Sequence, residues 1–425
     1  MFVKHYQGTN IMLEDFLSYI VGELSVNKAD KLLLAVSGGV DSMVMLDLFH
    51  RSGFNVEVAH VNHSTRNGQS DKDAEFVIKA CKKLGISFHI KVLDYNELSK
   101  ANFQSNARNA RYSFFKSIRT TQNIKYLATA HHMDDRWETF VMNLNRKSGI
   151  VGLTSLKPKS GNIIRPLMGF TKSEIGSYSI AHNIAFVEDA SNNTDDYTRN
   201  KIRHHLTEEA TNIFPDFVKN VNQSIINLEK SHQLIDSLIQ AGGFIDQNVT
   251  KQVIDIEKVK SLDLPTELLY HITSPIGFSY SDTVDILSTD STGAMFYSSS
   301  HEALYNRGKL IIRTKRQKIK NWATITNNGE YRLQDGRVIN FINGTEIYNN
   351  NSFGFSYPII DSDKVILRSI KPGDKYKPEH MNGKTKTLKK LLNDLKVDRF
   401  TKEDILVLEI NGEIKKIIGI NDSIY

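Results

Sequence analysis

The chain has 425 residues, more than one hydrophobic core accommodates, so two or three domains are expected. Hydrophobic residues make up 40%, which excludes a disordered or low-complexity protein. Lysine and arginine total 54 against 48 acidic residues, and the resulting charge of +6 suits an RNA partner without requiring one. The single cysteine, Cys81, excludes an intramolecular disulfide and a cysteine-rich zinc site, and reads as a core residue beside Val77 and Leu84. Glu14, Asp15 and Glu23 interrupt the apolar residues near the amino terminus, and no run approaches the roughly 18 apolar residues of a membrane span. A cytoplasmic protein with no membrane partner is expected.

Apolar runs alternate with helical patterns through the first half. Strands are expected at Leu32–Val36, Val56–Val61, Phe88–Val92, Tyr126–Ala130 and near Ile184–Val187. Helices are expected at Ser42–Phe49, Asp71–Leu84, Gln104–Ile118, Asp134–Leu144 and Lys172–His182, the last opened by the capping-box spacing Thr171 to Glu174. This rhythm implies an α/β domain with a doubly wound parallel sheet over residues 1–205. Helical spacing of Val218, Val221, Ile225 and Leu228 then begins a mostly helical domain, 206–320, ending in a hairpin turned at Asn306-Arg307-Gly308. A small α+β domain follows at 340–425, with strands at Val365–Ile370, Ile405–Ile410 and Lys416–Ile420, a helix at Leu388–Leu395 and a hairpin turn at Asn411-Gly412.

The most informative stretch is Ser37-Gly38-Gly39-Val40-Asp41-Ser42, between an all-apolar strand and a helix. Two glycines allow close backbone approach, a helix start favours an anion, and Asp41 can hold Mg²⁺ against phosphate. The Gly-Lys-Ser/Thr ending of a Walker A loop is missing. The loop instead resembles the pyrophosphate-gripping loop of the N-type ATP pyrophosphatases, which cut ATP between the α- and β-phosphates.

Other clusters fit a site at the same strand ends. His131-His132-Met133-Asp134-Asp135 opens a helix, where two acids either cap the helix or share a Mg²⁺ with Asp41. Asp135 is the preferred ligand, and a zinc site on adjacent histidines is not expected. Arg108 and Arg111 share a helix face that can clamp phosphate, or simply be solvated. His60 ends the second strand and can contact a base or ribose.

In order along the chain, Ser37–Ser42, His60-Val-Asn-His63, Asn106 to Tyr112, His131 to Asp135 with Glu138-Thr139, Arg165-Pro-Leu167, Val187 to Asp189 and Arg199 to Arg203 closely resemble tRNA(Ile)-lysidine synthetases. The tail resembles that family's last domain in Arg368, Lys371 to Asp374 and Gly383 to Leu392. Two departures stand out: Arg136-Trp137 where the family usually has Gln-Ala, and the loop Asn145 to Gly149.

The resemblance implies a ligase that adenylates the C2 oxygen of the wobble cytidine in a CAU-anticodon isoleucine tRNA. Free L-lysine then displaces AMP, with ATP as co-substrate and Mg²⁺ as cofactor. It implies ATP contacts from Ser37, Gly38, Gly39, Val40, Asp41, Ser42 and His60, a metal held by Asp41 with Asp134 and Asp135, and charge stabilisation by Arg111. Asp135 or Glu138 would take the lysine proton. Arg108 and the tail lysines Lys384, Lys386, Lys389 and Lys390 would contact tRNA, and a homodimer is compatible with the family. Cytidine thiolation is disfavoured by the lone cysteine, and a non-catalytic tRNA-binding protein by the intact acids.

Overall fold

The computed structural model describes residues 11–62, 69–93, 103–188, 198–247, 251–316, 322–326, 329–334, 338–341, 348–349, 352–353, 364–377 and 385–419. It divides into two compact units, Met1–Asp236 and Ser237–Tyr425. Among the described residues, no helix is long and apolar enough to cross a membrane.

The first unit contains α1 (Ile11–Ser18), β1 (Leu32–Ala35), α2 (Val40–Arg51), β2 (Val56–Asn62), α3 (Gln69–Leu84), β3 (Phe88–Val92), α4 (Phe103–Thr121) and β4 (Tyr126–Thr129). It continues with α5 (Met133–Asn145), α6 (Ile150–Leu153), β5 (Lys159–Ser160), β6 (Ile163–Ile164), α7 (Lys172–Ala181), α8 (Thr198–Lys201) and α9 (Glu208–Ile213), and α10 (Phe217–Ala241) begins in it. The sheet order is β3-β2-β1-β4-β6-β5, parallel except for the β5–β6 edge pair. β1 reads as an unbroken apolar run, and β2 is buried along its whole length although it carries Glu57, His60 and Asn62, as befits a parallel sheet covered on both faces. Leu32 and Leu34 join Phe16, Phe49 and Val77 in one core, while Leu33 on the opposite face joins Phe115, Ile118 and Leu127.

The strand expected near Ile184–Val187 is absent, and β6 takes the place beside β4. Those apolar residues serve other ends: Ile184 packs on the core, and Val187 N–H donates to the Gly38 carbonyl at 3.0 Å. An apolar run that braces a loop carries the same local signal as a short buried strand.

In the second unit come β7 (Ile245–Gln247), β8 (Gln252–Asp255), α11 (Ile256–Lys260), α12 (Pro265–Thr273), α13 (Tyr280–Ser288), β9 (Met295–Tyr297), β10 (His301–Asn306) and β11 (Lys309–Thr314). The helices of this middle region pack on a five-stranded antiparallel sheet, β7-β8-β11-β10-β9. The expected hairpin is its centre, closed by Arg307 and Gly308 with φ of 52° and 75°.

The remaining elements are β12 (Trp322–Ile325), β13 (Gly329–Arg332), β14 (Val338–Phe341), β15 (Tyr348–Asn349), β16 (Ser352–Phe353), β17 (Val365–Ser369), β18 (Lys375–Tyr376), β19 (Lys386–Thr387), α14 (Leu388–Asp394), α15 (Arg399–Asp404), β20 (Leu406–Ile410) and β21 (Glu413–Ile418). A mixed sheet, β12-β17-β20-β21-β18-β19, is built on the Asn411-Gly412 hairpin. Phe400 of α15 is buried against Leu304 and Ile311 of the middle sheet. The Arg313 guanidinium lies 3.9 Å from the Phe400 ring centroid, donates to Glu302 at 2.7 Å, and pairs with Glu403.

Candidate functional site

The chain leaves β1 for β2 on one side and later returns through β4 on the other. The carboxyl ends of β1 and β4 therefore flank a topological switch point, where open α/β sheets bind ligands. A cavity of about 800 Å³ lies there, lined by Ser37, Asp41, His60, Arg111, His131 and Lys172 among others.

The glycine loop is braced from inside. Ser42 Oγ accepts from the amides of Ser37 and Gly38 at 3.2 and 3.1 Å and donates to the Gly39 carbonyl at 2.9 Å. Ser42 is thus a clamp on the loop, and both Ser37 and Ser42 line the cavity with their hydroxyls 3.2 Å apart. Gly38 holds φ of +100°, a backbone form that side chains rarely adopt. The first intrahelical bond of α2 is Met43 N–H to Gly39, so the amides of Val40, Asp41 and Ser42 lack intrahelical acceptors at the cavity wall.

The carboxylates converge on His132. Its Nε2 stands 4.0 Å from Asp41 Oδ2 and 3.6 Å from Asp135 Oδ2, and its Nδ1 stands 3.4 Å from Asp134. Burial opposes charge on His132, yet Asp135, Asp134 and Asp41 together lift its pKa above the ordinary histidine value. Its neighbour behaves oppositely: burial pushes His131 down to about 4, and its Nδ1 lies 2.9 Å from Thr129 Oγ1. Asp135 accepts the His132 amide at 3.0 Å and Asp134 the Lys172 amide at 2.7 Å, so each also orders a loop or helix start. Asp41 is the most exposed of the three, at 27%, and both its oxygens meet the Lys172 ammonium. Asp41, which lines the open cavity, is a hard oxygen donor of the kind a divalent cation of the Mg²⁺ class takes, whereas Asp134 and Asp135 converge on the His132 ring outside the cavity lining.

Glu138 is fully buried and held by Arg203 at 2.7 Å and Arg199 at 3.1 Å. It does not line the cavity, and neither do Asp134, Asp135 or Arg108. Of Arg108 and Arg111 on α4, Arg111 lines the cavity, and no carboxylate among the described residues pairs with it. Arg108 is exposed, its guanidinium 4.9 Å from the Tyr112 ring. His60 is buried, and its Nδ1 lies 2.8 Å from the Val36 carbonyl. A carbonyl only accepts, so the proton sits on Nδ1. Burial lowers the His60 pKa and keeps the ring neutral, with Nε2 as an acceptor.

The departures at Arg136 and Trp137 fasten α5 to its neighbours. Buried Arg136 forms an ion pair with Glu229 of α10 at 2.6 Å. Trp137 donates to Thr207 Oγ1 at 3.1 Å and meets Phe217 edge-on at 4.7 Å. Asn222 adds a bond to the Met133 carbonyl at 3.1 Å. In the tail, Lys389 and Lys390 are exposed, Lys386 pairs with Asp394, and Lys384 lies outside the described residues.

Two residues of the site carry no local sequence signal of their role. Lys172 reads as the first residue after a helix cap, and nothing nearby in sequence points to Asp41, 131 positions away. Arg203 is visible only as part of a motif; its reach to Glu138 and Asp135 depends on a π-helical turn, Ile202–Thr207.

Three family models match this chain: a PP-loop domain over residues 11–210, a TilS substrate binding domain over 247–316, and a TilS substrate C-terminal domain over 365–422. The chain is 33% identical over 311 residues to tRNA(Ile)-lysidine synthase of Bacteroides thetaiotaomicron, covering 71% of each protein. It is 28% identical over 412 residues to the Porphyromonas gingivalis W83 protein of the same name, covering 92% of this chain and 90% of that one. A looser likeness joins it to the solved U34-tRNA thiolase NcsA of Methanococcus maripaludis, with a TM-score of 0.45, 18% identity, and coverage of 52% and 80%. A braced pyrophosphate loop at a sheet switch point and a relative matched across more than two thirds of its length agree: the chain belongs to the tRNA(Ile)-lysidine synthase family.

Proposed function

We infer that this protein is the ATP-dependent ligase that converts the wobble cytidine of a CAU-anticodon isoleucine tRNA into lysidine. The observation that carries the reading is the cleft, which gathers the Ser37–Ser42 loop, Arg111 and Lys172 at one end of a parallel sheet. In the first step the cytidine C2 oxygen attacks the α-phosphorus of ATP, and pyrophosphate leaves. In the second, the ε-amine of free lysine attacks C2, and AMP is expelled. Codon reading thereby moves from AUG to AUA, and charging from methionine to isoleucine.

Roles follow from position. The helix-start amides of Val40 and Asp41 and the Ser37 hydroxyl suit the pyrophosphate moiety, and Gly38 and Gly39 let it approach. Ser42 holds that loop in shape. Arg111, which lines the cavity, would offset charge at the α-phosphorus, and neutral His60 would offer an acceptor to base or ribose. Asp41 with Asp134 and Asp135 would hold Mg²⁺, which neutralises phosphate charge when bound. Lysine has a pKa of about 10.4, so about one amine in a thousand is unprotonated near neutral pH and a carboxylate must accept its proton. Asp135 fits this better than Glu138, whose oxygens already face two arginines. Residues 1–205 thus carry the chemistry, while 206–320 and 340–425 carry tRNA contacts, with Arg108, Lys384, Lys386, Lys389 and Lys390 as candidates. Thiolation is a poor alternative: Cys81 is buried, and burial pushes its thiol up to about 11.

The test is mass spectrometry of that tRNA after incubation with ATP and lysine. One lysine residue should be added at the wobble cytidine, with AMP formed in equal amount. An unmodified nucleoside under conditions that consume ATP would refute the reading.

A further inference from the structure

Lys172 makes a two-point contact with Asp41 in the cleft. Its ammonium meets Asp41 Oδ1 at 2.6 Å and Oδ2 at 2.7 Å, and its amide donates to Asp134 at 2.7 Å. The backbone here is fixed by the Thr171 cap: Thr171 N–H and hydroxyl donate to Glu174 at 2.8 and 2.9 Å, and the Glu174 amide returns to Thr171 at 3.2 Å. The side-chain stem, by contrast, is a flexible run of four methylenes whose charged end can change partner. At 39% exposure the ammonium is not locked in by packing.

A divalent cation and this ammonium compete for the same two oxygens. Once a cation takes Asp41, the like charge drives the ammonium off while the stem stays rooted at α7. Besides the lining carboxylates Asp73 and Glu188, the cavity offers the ammonium the polyphosphate of a nucleotide seated against Ser37, Gly39 and Val40, an anion of higher charge. An ammonium there stabilises negative charge as a point cation.

We propose that Lys172 is a displaceable counter-ion: it neutralises Asp41 in the resting cleft, then transfers its ammonium to the β- or γ-phosphate of the arriving metal–nucleotide and offsets charge on the departing pyrophosphate. The proposal rests on Asp41 as the cation ligand, and the two assignments fail separately in the experiment.

Two affinities measured without turnover should move in opposite directions in Lys172→Met. Mn²⁺ alone, followed by electron paramagnetic resonance of the free ion, should bind more tightly than to the wild type because its competitor is gone. Mg²⁺ with α,β-methylene-ATP, followed by calorimetry, should bind about tenfold more weakly, as expected when one charge-assisted hydrogen bond is removed. Lys172→Arg keeps the charge and should recover most of the nucleotide affinity. Unchanged nucleotide affinity in Lys172→Met, or a parallel loss of both affinities, would overturn the proposal and leave Lys172 a static tie. Wild-type Mn²⁺ affinity in Asp41→Asn would instead refute Asp41 as the cation ligand, whatever Lys172 does. Melting curves accompany each variant, and Lys172→Gln carries the same comparison if the methionine variant melts early.

Discussion

Arg203 bridges two carboxylates of one helix: its Nε donates to Glu138 Oε1 at 2.7 Å while its Nη2 stands 3.4 Å from Asp135 Oδ1. Glu138 is fully buried, and taking one partner from a buried ion pair leaves charge uncompensated. Arg203→Ala should therefore destabilise the first unit by about 3 kcal/mol, read as a lower urea midpoint. Arg203→Lys should recover only part of this, because an ammonium cannot serve both carboxylates in fork geometry. An unchanged midpoint in the alanine variant would show that Arg199 alone satisfies Glu138.

Arg136 and Glu229 form a buried pair whose Arg136 Nε and Glu229 Oε1 have no hydrogen-bond partner. Such a pair contributes little net stability but is costly to break on one side. Arg136→Gln alone is expected to cost about 2 to 3 kcal/mol. Adding Glu229→Gln should return more than half, a coupling that a double-mutant cycle measures directly. Additive losses would mean that the two side chains act independently.

His131 gives the protein a pH signature. Burial holds its folded pKa at about 4, below the ordinary histidine value of 6.5, so between these pH values only the unfolded chain takes the proton. Stability should rise with pH across that window and be lost as pH falls from 6.5 toward 4, by up to about 3 kcal/mol from this residue. His132 has a raised pKa and acts in the opposite sense, so the measurement is a difference. The drop in melting temperature between pH 7 and pH 5 should be smaller in His131→Gln than in the wild type. An equal drop in both proteins would remove His131 as the cause.

Arg111→Ala should slow adenylation more than it weakens tRNA binding, since the side chain lines the cavity whereas Arg108 does not. In single-turnover assays with tRNA and ATP but no lysine, pyrophosphate release should fall at least about a hundredfold, the scale expected for deleting one transition-state donor. Collapse of tRNA affinity with fast adenylation would reassign Arg111 to the RNA. Lysine-dependent ATP–pyrophosphate exchange without RNA would contradict base adenylation altogether.

In the tail, Lys389 and Lys390 are exposed while Lys386 is engaged by Asp394. Every lysine–phosphate pairing that a substitution abolishes should flatten the slope of log affinity against log salt by roughly 0.7 to 0.9. The pair Lys389→Ala and Lys390→Ala should thus reduce the slope for tRNA by more than one unit, and Lys386→Ala by less than either alone. Identical slopes in wild type and pair would give these lysines a solvent role only.

Much of this architecture is legible in the sequence because its signals are local. β3 falls at Phe88–Val92, as expected, and the Asn411-Gly412 turn takes positive φ at both residues. The capping box at Thr171 forms with both of its bonds. What stays hidden depends on contacts between distant segments. The run at 184–187 looks like a strand but braces Gly38, and Lys172 looks like a first-turn residue but faces Asp41. Ser42 looks like a ligand donor, whereas its hydroxyl is occupied within its own loop. The Arg136-Trp137 departure gains its meaning only from Glu229, Thr207 and Phe217.

The seat of Phe400 has a consequence for how this protein can be divided. Two sequence families meet in the second unit, ending at 316 and starting at 365, as though they were separable modules. Yet the ring of Phe400 from the later one closes an apolar face formed by Leu304, Ile311, Val253 and Met295 of the earlier one. Arg313, buried beneath it, takes one of its two acidic partners from each side of that boundary, Glu302 and Glu403. A shortened chain ending near 316 would bare a sticky surface and strand half of an arginine's charge balance. In this chain the earlier module thus depends on the later one for part of its apolar cover and its charge balance, and the two are best expressed and engineered as one piece.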